Sequence, residues 1–260
     1  MLEDDFTYVI RKALKGLALS PSEAAAQAGL SETEVLQFSR GKFSATTARR
    51  LAPVLGLNPE ALAQHDHYLP NPLTLSGIKR IDMSFEQERV NAWLISLGGT
   101  SILFDTGYNP SDCIRALDNL GKSAIHHLFI THGHVDHVGG IPDFIARGMI
   151  PKGASIADAH PFAAGDSFTA GPLTIRACDL SGHATPALGY LIDGFSRPIL
   201  VTADAIFAGS IGGCTTPQRY QHAITQLRKI LGPLPDHAIL LPGHGPATTL
   251  GEERVHNPFL

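Results

Sequence analysis

The chain has 260 residues, 43% of them hydrophobic, enough to bury one sizeable core and a small additional unit. Its formal net charge is −4, so no overall basic excess draws it to nucleic acid or to an anionic membrane. No apolar run approaches the roughly 20 residues of a membrane span. The opening Met1-Leu2-Glu3-Asp4-Asp5 lacks the basic and apolar regions of a secretion signal. Three scattered cysteines suit a reducing cytoplasm, where the protein is expected to reside. Cys113 and Cys178 are expected buried, and Cys214, in a Gly- and Thr-rich loop, is expected exposed.

Residues 1–66 read as an all-helical unit rich in Ala and Leu, with caps at short intervals. Ser20-Pro21-Ser22-Glu23 opens one helix and Gly29 closes it. Ser31 to Glu34 opens the next, which ends near Gly41. Ser44 opens a third, ending near Gly56, and Asn58-Pro59-Glu60 opens a fourth. The segment from Leu19 to Leu36, followed by Arg40-Gly41-Lys42, resembles the helix-turn-helix of phage-repressor-type regulators. It departs from that pattern in charge. Pro21 stands where such motifs carry a polar phosphate-contacting residue, and Glu32 and Glu34 open the candidate recognition helix. Across residues 1–65, seven Lys and Arg stand against seven Asp and Glu, a balance of zero where a DNA-binding unit shows a basic excess. A packing, dimerising or substrate-capping role is therefore expected ahead of DNA binding. Residues 67–73 read as a linker. Pro70, Asn71 and Pro72 stop the preceding helix, and His65 and His67 do not share a helix face, so a solvated connection is expected there rather than a metal site.

From Leu73 the texture becomes strand, turn, strand. Val90 to Leu97, Gly98-Gly99, and Ser101 to Phe104 read as a hairpin. A helix is expected over 111–121 and a strand over 125–130. Further strands are expected near 154–157, 173–177, 188–192, 198–203 and 238–241, with a helix at about 217–231. Pattern alone makes residues 74–260 an α/β unit and goes no further.

The densest chemistry lies in Thr131-His132-Gly133-His134-Val135-Asp136-His137-Val138-Gly139-Gly140. Three histidines and an aspartate fall within six positions, directly after the apolar run Leu128-Phe129-Ile130. Imidazole and carboxylate are ligands for zinc, iron or manganese. A turn at a strand end lets neighbouring side chains converge, which a straight strand does not.

The pattern His-x-His-x-Asp-His resembles the signature of the metallo-β-lactamase superfamily of metal-dependent hydrolases, over roughly residues 74–260. The resemblance implies an αββα sandwich and three further ligands, a His, a bridging Asp and a final His. Ser181-Gly182-His183, Leu200 to Asp204, and Leu240 to His244 supply them in that order. By position, His132, His134 and His183 would hold one divalent metal ion, and Asp136, His137 and His244 a second. Asp204 would bridge the two, with zinc favoured and iron or manganese as alternatives. Asp105, at the end of Ser101 to Asp105, matches a family carboxylate that lies beneath the metals and orients a ligand. The other eight histidines are given ordinary roles, with His160 as a minor candidate for the pocket wall, and Tyr190 is expected to pack.

The tail from Pro242 to Leu260 is most similar to the glyoxalase II-like (hydroxyacylglutathione hydrolase-like) branch. That likeness implies a bridging hydroxide attacking a small-molecule thioester or related ester, with Asp136 and Asp204 orienting the nucleophile. A thiolate, of pKa about 8.5, leaves without a proton donor. Two departures bear on glutathione itself: the family's C-terminal helical domain is not expected, since the sequence runs to Leu260, and Gly209 to Pro217 lacks the Arg and Asp of the family segment. Three alternatives stand beside this reading. One is a mononuclear iron persulfide dioxygenase using His132, His183 and Asp204. Another is a DNA-binding regulator with a ligand-sensing hydrolase-like domain. The third is a lactonase or β-lactamase. A homodimer is an open state of assembly.

Overall fold

Side-chain caps set the four helices that the sequence places, and a fifth precedes them. The computed structural model describes residues 2–121 and 125–260. Helix α1 (Phe6–Leu17) starts at Asp5, whose carboxylate accepts from Thr7 N at 2.7 Å. Helices α2 (Pro21–Ala28) and α3 (Glu32–Ser39) open with reciprocal capping boxes, Ser20 with Glu23 and Ser31 with Glu34. Ser44 caps α4 (Ala45–Leu51) and Asn58 caps α5 (Pro59–Gln64).

Two sheets follow. The first runs β1 (Ile78–Phe85), β2 (Glu88–Leu97), β3 (Thr100–Phe104), β4 (His127–Phe129), β5 (Lys152–Gly153), β6 (His160–Pro161). Its first three strands are an antiparallel meander, and β4 lies parallel to β3. The second sheet is built from β7 (Ser167–Ala170), β8 (Leu173–Asp179), β9 (Leu188–Asp193), β10 (Ile199–Ala203), β13 (Ile239–Pro242) and β14 (Thr248–Thr249), in the order β14-β13-β10-β9-β8-β7. Between β10 and β13 lie a small ribbon, β11 (Ile206–Phe207) with β12 (Ser210–Ile211), and helix α9 (Pro217–Leu231). Helices α6 (Pro110–Asn119), α7 (Val135–Val138) and α8 (Ile141–Ala146) connect the first sheet, and α10 (Leu250–His256) follows β14.

Strand alternation turns one face of each sheet inward. Trp93, Ile95, Ile102 and Phe104 of the first sheet meet Ile175, Tyr190, Ile192 and Val201 of the second. The outer face of the first sheet, with Leu94, Leu103 and Leu128, is covered by Cys113 and Leu117 of α6 and by Phe144 of α8. The outer face of the second sheet, with Leu200 and Leu240, is covered by Ala223 and Leu227 of α9. This is a mixed α/β sandwich with helices on both sides, as expected.

The N-terminal helices extend that last layer. Val9, Ile10 and Leu14 of α1 and Phe38, Leu51 and Leu62 belong to the same apolar cluster as Tyr220, Leu227 and Phe259. A Cβ on Gly16 would stand 2.3 Å from Tyr220 Cγ, so α1 lies directly on α9.

Two expectations need correction. The connection after α5 is not solvated throughout. His65 and Tyr68 are buried. His65 Nε2 meets Gly209 O at 2.9 Å, and the Tyr68 hydroxyl donates to Glu253 Oε1 at 2.7 Å. An aromatic ring with a reachable acceptor gains more from this buried seam than from water. The strand expected near 154–157 forms at Lys152–Gly153 instead, where Ile130 N donates to Lys152 O at 2.9 Å, and Ser155 takes φ 54°, outside the extended region.

Candidate metal centre

The ligand-type side chains follow the ends of four strands, β4, β8, β10 and β13. After β4 the chain passes through Thr131 and His132, and α7 is a single helical turn that carries Asp136 and His137 inward. His183 follows β8, Asp204 follows β10 and His244 follows β13. Among the described residues, two groups offer one ligand atom each, all within 4.8 Å of one another. They are His132, His134, His183 and Asp204, and Asp136, His137, Asp204 and His244. Asp204 belongs to both. Its Oδ2 lies 3.4 Å from His183 Nε2, 3.8 Å from His132 Nε2 and 3.5 Å from His244 Nε2, and its Oδ1 lies 3.4 Å from His137 Nε2. Asp136 Oδ2 lies 3.3 Å from His244 Nε2.

Each inward ring is oriented through its other nitrogen. His137 Nδ1 donates to Asp105 Oδ2 at 2.8 Å, His183 Nδ1 to Gly213 O at 2.8 Å and His244 Nδ1 to Arg89 O at 2.7 Å. His132 Nδ1 donates to Thr131 Oγ1 at 3.0 Å, and that hydroxyl donates onward to Asp105 Oδ2 at 2.8 Å. A ring that donates at Nδ1 presents Nε2 inward as the nitrogen that a cation would take in place of a proton. His134 faces the other way, with Nδ1 3.1 Å from His183 Nε2.

Divalent cations fit this arrangement. His132 Nε2, His137 Nε2 and Asp204 Oδ1 are buried without a hydrogen-bond partner in the protein. Buried polar atoms are rarely left so, and here all three converge on two points. Burial foremost, then the neighbouring His137, holds the His132 ring well below its usual range. Burial also opposes charge on His137 and His244, but the carboxylates outweigh it. Asp204 and Asp105 raise His137 to about 10, and Asp204 and Asp136 raise His244 to about 11. Asp204 itself is pushed up by burial and down, by more, by His137 and His244, and ends well below the carboxylate range. Without a cation, imidazolium charge balances the carboxylates, and a cation would take its place.

Glycines make room for the centre. A Cβ on Gly243 would lie 2.1 Å from Asp204 Oδ1, and one on Gly212 would lie 1.9 Å from the Asp204 carbonyl. Asp105 adopts φ 62°, a conformation aspartate tolerates, and its carboxylate also accepts from Thr131 N at 2.8 Å.

Known proteins resemble this chain in sequence and in fold. Residues 86–177 match the family model described as Metallo-beta-lactamase superfamily. The chain carries a metallo-β-lactamase superfamily domain. Hydroxyacylglutathione hydrolase GloC of Haemophilus influenzae is 26% identical over 185 residues, covering 61% of this chain and 86% of that protein. A probable metallo-hydrolase of Bacillus subtilis, YqgX, is 23% identical over 198 residues, covering 66% and 92%. Among solved structures, a metallo-beta-lactamase from Staphylococcus aureus matches with TM-score 0.57 at 22% identity, over 69% of this chain and 61% of that one. TTHA1623 in a di-iron-bound form matches with TM-score 0.53 at 23% identity, over 74% and 100%. These structural likenesses show the fold.

A cavity of about 550 Å³ opens over the centre of the metallo-β-lactamase domain. Asp136, His183, Asp204 and His244 form its floor. Its wall includes Glu3, Tyr8 and Lys12 from the N-terminal region, which the sequence gives no local reason to place there. The contact depends on α1 docking on α9, more than 200 residues away.

The remaining candidates take ordinary places. His160 is exposed and is not among the cavity-lining residues. His126 Nδ1 accepts from Ser101 N at 2.9 Å, and the His127 ring packs edge-on against Phe168. The Tyr190 hydroxyl donates to Ile130 O at 2.6 Å, fixing the strand that leads into the ligand loop. Cys214 is buried, contrary to expectation, because the loop folds under α1 near Lys12 and Lys15. Burial pushes the Cys113 and Cys178 thiols up to about 12 and Cys214 to about 11, so none is a ready nucleophile near neutral pH.

Proposed function

We propose that this protein is a dinuclear metallohydrolase that cleaves a thioester or related ester. The observation that carries the reading is the second cluster. Asp136, His137 and His244 stand together with Asp204, in addition to the His132, His134 and His183 group. A mononuclear iron dioxygenase needs only a two-His-one-carboxylate set with open positions, and such a site has no use for three more converging ligands. His132, His134 and His183 would hold one ion and Asp136, His137 and His244 the other, with Asp204 between them. When bound, such a pair supplies a hydroxide nucleophile at neutral pH and an electrophile for the developing oxyanion. Zinc is the favoured occupant, with iron or manganese accepted by the same nitrogen and oxygen donors.

The chain's own residues do the positioning. Asp204 faces both clusters, its Oδ2 toward His132, His183 and His244 and its Oδ1 toward His137, and Asp136 offsets charge beside His244. Asp105 holds His137 directly and His132 through Thr131. The aromatic and aliphatic side chains of Tyr8, Phe85, Val135 and Phe207 line the approach. A thiolate leaves without a proton donor, which favours a thioester over an amide. GloC carries the name of a thioester hydrolase, and its likeness to this chain points the same way.

Elemental analysis of the purified protein beside a panel of thioester, lactone and β-lactam substrates tests the reading. Two metal ions per chain with thioester turnover are expected, with no turnover in Asp204→Ala and a folded circular dichroism spectrum. One iron per chain with oxygen uptake on a persulfide would remove it. Full rate in Asp204→Ala would remove the shared-carboxylate centre.

A further inference from the structure

The wall of the cavity has a chemistry of its own. Glu3, Asp4 and Glu88 line it against a single cation, Lys12. That cation is engaged. Lys12 Nζ pairs with Asp4, donates to Ile211 O at 2.8 Å and lies 5.3 Å from the centre of the Phe207 ring. With Asp4 and Lys12 offsetting each other, Glu3 and Glu88 remain. Glu3 Oε1 comes within 3.8 Å of His244 Nδ1, but that nitrogen already donates to Arg89 O. Glu88 is exposed at the start of β2 and forms no ion pair among the described residues. Tyr8 and Phe85 give the wall an apolar face beside these carboxylates.

The N-terminal region is held in this position by contacts at several points. The Glu3 backbone packs against Gly245, beside His244, where an added Cβ would lie 3.4 Å from Glu3 N. Lys12 ties α1 to the β12 end of the ribbon through Ile211, and His65 fixes Gly209 in the same ribbon. The floor below contains the unpartnered Asp204 Oδ1. A substrate whose reacting bond sits on that floor therefore extends past Glu3, Tyr8 and Glu88.

We infer that the N-terminal segment and α1, together with Glu88 of β2, form the substrate-selecting wall of the centre, and that this wall selects a leaving group bearing an ammonium rather than a carboxylate-bearing carrier thiol. This rests on the hydrolase reading. A glutathionyl group brings two carboxylates and one ammonium, and the wall offers no free cation to receive them. An alkylammonium group finds two carboxylates and aromatic faces.

Thioethers test the wall without chemistry, because they have no bond to hydrolyse. The probes are S-propylglutathione, its (2-propylthioethyl)trimethylammonium counterpart and neutral 2-(propylthio)ethanol, titrated calorimetrically into the full metal-loaded protein. The ammonium thioether is expected to bind on the order of tenfold tighter than S-propylglutathione. Glu88→Gln is expected to narrow that gap, as is a rise in salt. Glu3→Gln should narrow it further. Glu88 is exposed at the start of β2, so its variant reads out even if Glu3→Gln disturbs folding. S-propylglutathione binding as tightly as the ammonium probe overturns the inference. So does a gap that Glu88→Gln and salt leave unmoved, or no measurable binding of any probe at millimolar concentration. An intact binding order without thioester turnover would remove the hydrolase reading alone. Turnover with a reversed order would remove the wall alone.

Discussion

His137 and Asp105 form the buried pair on which the centre is oriented, Nδ1 donating to the carboxylate at 2.8 Å. The same carboxylate reaches His132 through Thr131 Oγ1, so one side chain sets a ring in each cluster. Asp105→Asn tests this with little change of shape. Asparagine tolerates the φ of 62° and can still accept from Thr131 N. Its amide hydrogens, however, oppose the proton on His137 Nδ1 and favour the tautomer with Nε2 protonated. Affinity of the second cluster for zinc is expected to fall about 10- to 100-fold. Chelator competition measures it, and unchanged affinity at both clusters would show that Asp105 has no orienting role.

Metal uptake should release protons. In the metal-free protein His137 and His244 stay protonated up to about 10 and 11. Both rings must lose the Nε2 proton to bind a cation, so close to two protons per chain are expected on loading at pH 7.5. The sign for stability follows. A ring whose folded pKa is raised above 6.5 contributes stability that is fully present below about 6.5 and lost as pH rises through 10 to 11. Asp204 and Asp136, depressed below 3.8, contribute above that value and lose their contribution as pH falls through their folded values. The metal-free protein should therefore melt at a lower temperature at pH 10 than at pH 6, and metal should remove that slope. Uptake of both ions with no proton release, followed in weak buffer, would contradict the pairing of these rings with Asp204.

Most of the centre was legible in the sequence, for a physical reason. Each ligand sits where an apolar run ends, and such runs can be read locally, from Leu128 to Ile130 and from Leu240 to Leu241. The helix caps of residues 20–60 were legible on the same ground, because a capping box spans only four residues. What was not legible depends on distant pairs. Nothing near Tyr8 or Lys12 signals the cavity, since α1 reaches it through partners about 200 positions away, with Gly16 on Tyr220 and Lys12 on Ile211. The burial of His65 likewise depends on Gly209, 144 positions away. The short strands β5 and β6 carry no alternation of their own and exist through pairing, β5 with β4 and β6 with β5.

The N-terminal helices should not bind DNA. Arg49 is held by Glu60 through two hydrogen bonds of 2.8 and 3.0 Å, and Arg50 donates to the Gly29 carbonyl. Lys42 donates to Gln37 on α3. Glu32 and Glu34 remain at the start of that helix, where phosphate would approach. Fluorescence anisotropy with a duplex of mixed sequence is expected to show no saturable binding below about 10 µM at moderate salt. Salt-dependent, sequence-selective binding by the intact protein would restore the regulator reading.

Gly16→Ala decides whether α1 is part of the hydrolase core. In a free helix this change would stabilise by about 1 kcal/mol, because glycine is the poorer helix former. Here the new Cβ would stand 2.3 Å from Cγ of Tyr220, the root of a rigid and buried ring. Overpacking of that kind costs about 1–3 kcal/mol, so the clash outweighs the propensity and the net change is destabilising. Denaturant melts should show a single transition moved to lower midpoint, since one apolar cluster joins α1 to α9. Tyr220→Leu removes the ring against which the methyl collides. The double variant Gly16→Ala/Tyr220→Leu should therefore lose less than the sum of the two single losses. Additive losses would place α1 away from Tyr220, and with it the wall that Tyr8 and Lys12 contribute.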